Sequence, residues 1–227
     1  MQSPLNAITE RLNRALKRAG RAPESCRILA VSKTHSAEAI TKVANLGQVD
    51  FGENRVQEAR DKFPPPRERP PGQRLHLIGP LQSNKVRQAV QHFDAIHSLD
   101  RPKLVGALAR IVAEEGRRPH LFIQVNTGEE PQKAGCLPQD LAALVAQARA
   151  ANLPLVGLMC IPPLDQAPAP HFAFLAQRAR ELGLSELSMG MSQDFEAAAE
   201  LGATYVRVGT AIFGARLGTR SGAQGVP

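Results

Sequence analysis

Tryptophan is absent from this chain, tyrosine occurs once, at Tyr205, and aromatic residues make up 4% of its 227 positions. So few rings argue against a stacking platform for single-stranded nucleic acid. The three cysteines, Cys26, Cys136 and Cys160, are odd in number, far apart and never in a CxxC pair. That excludes a disulfide framework and a zinc knuckle, and it suits a reducing cytoplasm. The six histidines show no paired helical spacing, so no metal site is expected. No apolar run approaches the roughly 20 residues of a membrane span. The first residues carry no apolar signal-peptide core, so no targeting segment and no membrane partner is expected.

What is present is a mildly basic chain of 43% hydrophobic content, long enough for one sizeable core. The net charge of +7 raises the question of nucleic acid, but the basic residues are scattered and no recognition motif accompanies them. Arg11, Arg14, Lys17 and Arg18 read as the solvated face of a first helix. A basic balance also suits a protein that holds a small phosphorylated anion.

From Arg27 onward, strand-like apolar runs alternate with helical patterns. The expected strands are 27–32, 49–52, 75–78, 95–99, 120–126, 155–159, 187–189 and 204–208. Helices are expected between them at 38–46, 55–62, 83–92, 102–115, 138–150, 170–182 and 194–201. Pro102 and Pro138 open helices, and Gly47, Gly116, Gly183 and Gly202 follow helix ends. Eight such units predict an α/β fold, a (β/α)8 TIM barrel with an extra N-terminal helix, as a single domain over residues 1–216. The proline-rich segment 64–72 is expected to be a mobile loop on the amino-terminal face, and 217–227 a flexible tail.

In such a barrel the carboxyl ends of the strands converge on one site. Strand one delivers Lys33, whose amine in its neutral form can make a Schiff base with an aldehyde. Strand two delivers Glu53 and Asn54. Strands three to six deliver Gly79, Ser98, Asn126 with Thr127, and Met159, with Gln82, Asn84, Lys85 and Lys133 further out on loops. The last two loops bring Ser192, Gly209 and Thr210, which suit a phosphate: a hydroxyl at a helix start, a glycine that lets backbone amides approach, and a second hydroxyl. Plain helix capping is the competing reading of Ser192. The glycines of 209–216 lack the Gly-Lys-Ser/Thr ending of a nucleotide loop, which excludes that reading. Arg207 ends a buried strand, where a guanidinium needs a partner. Lysine, arginine and phosphate cup together frame pyridoxal 5'-phosphate.

The segments AVSKTHSAEAI around Lys33, VDFGENRVQEA, LHLIGPLQSNK, QVNTGEEPQKAGC, GLMCIPP and LSMGMSQDFEAAAELGATYVRVGTAIFGAR together resemble the pyridoxal phosphate homeostasis family (YggS/PROSC type), relatives of the alanine racemase N-terminal barrel domain. The resemblance runs in order over almost the whole chain. It implies a fold-type-III barrel with the cofactor held covalently on Lys33 as an internal aldimine. It places Asn54 near the ring, Arg207 at the ring nitrogen, and Ser192, Gly209 and Thr210 at the phosphate. It also implies a role in vitamin B6 homeostasis, buffering the cofactor or delivering it to dependent apoenzymes, without a robust reaction of its own. Arg55, Pro80 and Ala203 stand where the family more often has an aromatic, a histidine and a serine.

Three functions compete. A non-catalytic carrier, acting as a monomer with no catalytic residues, needs only the binding frame. A racemase-like enzyme of low activity needs a second base opposite Lys33, which in the racemase comes with an added domain that this chain is expected to lack. A phosphosugar enzyme needs paired carboxylates at the strand ends, and Glu53 stands there alone. The carrier is the reading the residues favour. Tyr205, two residues before Arg207, is expected to lie deeper in the barrel as a packed core aromatic.

Overall fold

A computed structural model describes residues 3–214. Eight parallel strands, β1 Arg27–Val31, β2 Asp50–Glu53, β3 Arg74–Leu77, β4 Ala95–Leu99, β5 His120–Val125, β6 Leu155–Cys160, β7 Glu186–Met191 and β8 Tyr205–Val208, close in sequence order, with β8 pairing back onto β1. The outer ring comprises α1 Pro4–Arg18, α2 Ala37–Ala44, α3 Val56–Lys62, α4 Val86–His92, α5 Pro102–Glu115, α6 Leu141–Ala150, α7 Pro168–Glu181, α8 Phe195–Glu200 and the single turn α9 Thr210–Phe213. The expected (β/α)8 barrel is therefore the fold. The turn α9 and the 3-10 turns that open the α4 and α6 segments were not anticipated. The tail 217–227 lies outside the described residues.

Alternation along the strands divides the apolar residues into two cores. Outward-facing side chains such as Ile28, Ala30, Phe51, Leu75 and Leu77 pack under the helices in the main cluster. Inside the barrel a smaller cluster of Ala95, Phe122, Met159 and Tyr205 fills the lumen. Polar groups share that interior. Asp50 Oδ1 lies 3.1 Å from His76 Nε2, and His76 Nδ1 lies 3.0 Å from His97 Nε2. Burial holds His97 well below the usual imidazole range, so the ring is neutral and packs face to face on Phe122 at 4.1 Å.

Arg14, Lys17 and Arg18 lie on the open face of the first helix, as expected. Leu5, Ile8, Leu12, Ala15 and Leu16 form its buried stripe. Arg11 pairs with Glu196 at 3.2 Å and Arg18 with Glu200 at 2.6 Å, which ties α1 to α8. The proline-rich segment is not the free loop expected. Arg69, 8% exposed, donates to the carbonyls of Pro64 and His92 and to Asp94 at 2.6 Å, pinning the segment to the barrel's amino-terminal face.

Removing that side chain strands two carbonyls and part of a carboxylate. Arg69→Ala is expected to lower unfolding free energy by about 2–4 kcal/mol, measured by urea denaturation. A change below about 0.5 kcal/mol would show that the segment is not anchored through Arg69.

Candidate functional site

At the carboxyl ends of the strands lies a cleft of about 530 Å3 lined by Lys33, Asn54, Ser192, Arg207, Gly209 and Thr210. All six residues proposed from the sequence thus meet in one place. Val31, Ile78 and Ile161 supply apolar wall, with Gly79, Pro80, Gln124, Gln132, Lys133, Ala134 and Met191 around them. Val31 and Gln124 were missed, although strand alternation would have found them: Val31 lies two residues before Lys33, and Gln124 two after the interior residue Phe122.

Several other strand-end residues serve elsewhere. Glu53 is fully buried, but it faces α3, accepting from Ser32 Oγ at 2.7 Å and Lys62 Nζ at 3.2 Å. Asp50 and Gly52 take the inward positions of β2, so Glu53 must point out. Burial raises its pKa, an effect that Ser32 and Lys62 oppose. Asn126 closes its own loop, bonding the backbone of Glu130 at both ends of its amide. Met159 is buried in the lumen below the cleft. Gln82, Asn84, Lys85 and Ser98 do not line the cleft. His35 sits in the loop after β1, stacked on Phe213 at 4.8 Å.

Arg207 is the most constrained member of the site. Only 4% exposed, it donates to Ser188 O at 2.6 Å, Ser188 Oγ at 2.9 Å and Cys160 O at 2.7 Å. Burial lowers its pKa, with Cys160 and Asp194 opposing. No carboxylate pairs with it among the described residues, so it presents a buried positive charge to the cleft.

Gly209 occupies the N-cap position of α9, and the first-turn amides of Thr210 and Ala211 have no acceptor within the helix. A side chain at Gly209 would press on Val31, with Cβ 3.1 Å from its carbonyl oxygen. The competing reading of Ser192 as a helix cap does not hold: α8 begins at Phe195, and the N-cap position belongs to Asp194. The Asp194 carboxylate accepts instead from Met191 N at 2.5 Å, closing the turn that carries Ser192. Gly79 fits against β2 so closely that a Cβ would lie 2.2 Å from Asn54 O, which fixes Asn54 at the rim.

Lys33 is half-buried. The next residue, Thr34, has φ 67, a left-handed conformation that costs a β-branched residue about 1–3 kcal/mol. Two side chains from α3 hold the strained turn from either side of Lys33. Glu58 Oε1 accepts from Thr34 N at 2.5 Å, and Lys62 Nζ donates to Ser32 O at 3.0 Å. The same Lys62 bonds Glu58. Burial raises the Glu58 pKa, but the bonds from Lys62 and Thr34 outweigh it and leave the carboxyl below its usual range.

A carboxylate with a depressed folded pKa stabilises fully above its unfolded value, and the contribution fades as pH falls through the folded value. Glu58→Gln is therefore expected to cost about 1–2 kcal/mol at neutral pH and less on acidification below about pH 4. Denaturation curves across that range check this. A cost independent of pH would mean that the charge of Glu58 does not hold the turn.

Comparison with known proteins agrees with this geometry. The family described as alanine racemase, N-terminal domain, matches residues 4–217. The pyridoxal phosphate homeostasis protein of Pseudomonas aeruginosa is 45% identical over 92% of this chain and 93% of its own length. That of Escherichia coli K12 is 40% identical over 93% of this chain and 95% of its own. The structure of PipY from Synechococcus elongatus with pyridoxal phosphate bound is 43% identical and superposes with a TM-score of 0.77, over 91% of this chain and all of that one. With agreement of this kind over nearly its whole length, the chain belongs to the pyridoxal phosphate homeostasis family, a branch of the proteins built on the alanine racemase N-terminal domain.

Proposed function

We propose that this protein binds pyridoxal 5'-phosphate on Lys33 and buffers it or delivers it to dependent apoenzymes, without turning over a substrate of its own. The observation that carries the reading is the meeting of Lys33, a buried Arg207 without a carboxylate partner, and the Gly209–Thr210 helix start in one cleft. The bound PipY relative and the names of the bacterial homologues support the same ligand.

Bound there, the ligand would supply an aldehyde to a lysine amine and a pyridine ring as electron sink. Lys33 is the suitable amine: Lys133, which also lines the cleft, is engaged with Glu130 at 2.6 Å and Pro162 O at 3.5 Å. Arg207 would donate to the ring nitrogen and keep it unprotonated. The free amides of α9 with the hydroxyls of Thr210 and Ser192 would take the phosphate. Asn54, also on the lining, would lie beside the ring. Three buried free cysteines fit the reducing cytoplasm expected from the sequence.

The carrier reading rests on what lines the cleft. Among the described residues, its lining includes no aspartate, glutamate, histidine, cysteine or tyrosine. General acid–base work on an amino acid needs a second proton-transfer group across from Lys33, and the other amine on the lining, Lys133, is held by Glu130. Tyr205 cannot serve, because it opens onto the opposite face of the barrel, bonds Arg27 at 2.9 Å, and has its phenol pushed up by burial. Likeness to the racemases themselves is one of fold: the Corynebacterium glutamicum enzyme is 20% identical.

Lys33→Ala is expected to abolish the adduct that borohydride fixes while the protein stays folded. Peptide mapping that put the pyridoxyl group on Lys133 in the unaltered protein would refute the assignment. Pyridoxal, lacking the phosphate, forgoes at least two charge-assisted bonds. Its affinity is expected to be lower by about a hundredfold or more, and equal affinities would remove the phosphate cup.

Incubation of the loaded protein with L-alanine in deuterated water tests the absence of turnover. Exchange of the Cα hydrogen is expected to be slow and unchanged by Tyr205→Phe. Enzyme-like exchange lost in that variant would make the protein a racemase.

A further inference from the structure

The larger opening in the barrel is at its other end. A cleft of about 780 Å3 at the amino-terminal mouth is lined by residues that precede or begin the strands. That face of a (β/α)8 barrel ordinarily serves stability, and charged groups there are then expected to neutralise one another. Here they do not. Four arginines, Arg27, Arg74, Arg117 and Arg118, face two carboxylates, Asp94 and Glu186, on the lining.

The pairings leave an excess. Arg74 is matched by Asp50 at 2.7 Å, while Asp94 is shared by Arg69 and Arg117. Arg118 is exposed and meets only the carbonyl and amide oxygens of Asn152. Arg27 bonds the Tyr205 hydroxyl and lies over its ring at 5.6 Å. Glu186 enters on β7, opposite Arg74 on β3, and forms no ion pair with any of the four arginines among the described residues. The β3–β5 side therefore carries about two uncompensated positive charges. Beside it is apolar surface: Val49 at the rim is 40% exposed, one of the few large hydrophobic side chains left open among the described residues.

We propose that this mouth is a second ligand site, taking a small organic dianion, a phosphate ester or a dicarboxylate, whose charge meets Arg118 and its neighbours and whose apolar body rests on Val49 and Pro119. It is independent of the cleft around Lys33, from which the packed lumen of Phe122, Met159 and Tyr205 separates it.

Phenyl phosphate and isophthalate serve as probes, with phenol as the uncharged control. Isotope-labelled full-length protein is titrated with each and followed by backbone amide shifts. Saturable shifts at Gln73, Ala95 and His120 are expected for at least one dianion, weakening with added salt, and absent for phenol. Comparison of the two dianions tells phosphate from carboxylate recognition. Arg118→Gln, an exposed change that leaves the fold intact, and Val49→Glu, which sets a like charge at the rim, should each weaken binding there at least tenfold. Shifts confined to Lys33, Ser192 and Thr210, no saturable shift, or unchanged binding in both variants would each overturn the proposal.

Discussion

A guanidinium buried inside a barrel must be satisfied by the strands around it, and Arg207 imposes that demand on two of them. An unpaired charge there would cost several kcal/mol. Arg207 escapes the penalty through the carbonyls of Cys160 on β6 and Ser188 on β7 and the hydroxyl of Ser188. Ladder carbonyls in a regular sheet are already occupied, so the donors need an irregular strand. The β7–β8 register supplies it: Ser188 lies opposite Tyr205, but Met191 opposite Arg207, one residue more on β7 than on β8. Gly190, at φ 87 and packed so closely that a Cβ would lie 2.4 Å from Ala198 Cβ, absorbs the extra residue. The bulge that satisfies the arginine also turns Met191 and Ser192 toward the cleft.

The same alternation that places Lys33, Asn54 and Arg207 at one mouth sends the acid–base groups elsewhere. Asp50, His76, His97 and Tyr205 occupy the lumen and its amino-terminal end, where they bond or stack on one another. Glu53 lies outside the barrel wall under α3. Each sits within a few residues of a strand's carboxyl end, and none reaches the cleft. What remains there is cationic or neutral, a composition that captures an anion.

Most of this was readable because a parallel barrel makes position along a strand equivalent to position in space. Lys33, Asn54, Arg207 and Gly209 each follow or end a strand whose apolar run is plain, and the helix-ending glycines mark the units. What escaped depends on side-chain direction or non-local pairing. Glu53 looked like a rim carboxylate until the inward places of β2 were seen to belong to Asp50 and Gly52. The bulge at Gly190 has no local signature, because its cause is an arginine seventeen positions on. Arg69 looked like part of a solvated proline-rich loop, since its partners, His92 and Asp94, come from a later unit. Asp194, not Ser192, stands at the N-cap position of α8, and its carboxylate closes the preceding turn onto Met191 N instead of capping the helix.

Strain at Thr34 completes the account of how Lys33 is presented. A relaxed turn after β1 would free the backbone to carry Lys33 away from the barrel axis, so the left-handed residue must be held against its own preference. The clamp is built entirely from α3: Glu58 on the Thr34 amide, Lys62 on the Ser32 carbonyl, with the two side chains bonded to each other. Glu53, whose partners are Ser32 and Lys62, belongs to this clamp rather than to any chemistry in the cleft. The charges of α3 thus act through the backbone on either side of Lys33, and the lysine itself stays free of ion pairs among the described residues. A side chain so placed is held firmly at its root and left open at its amine, which suits the attachment proposed for it.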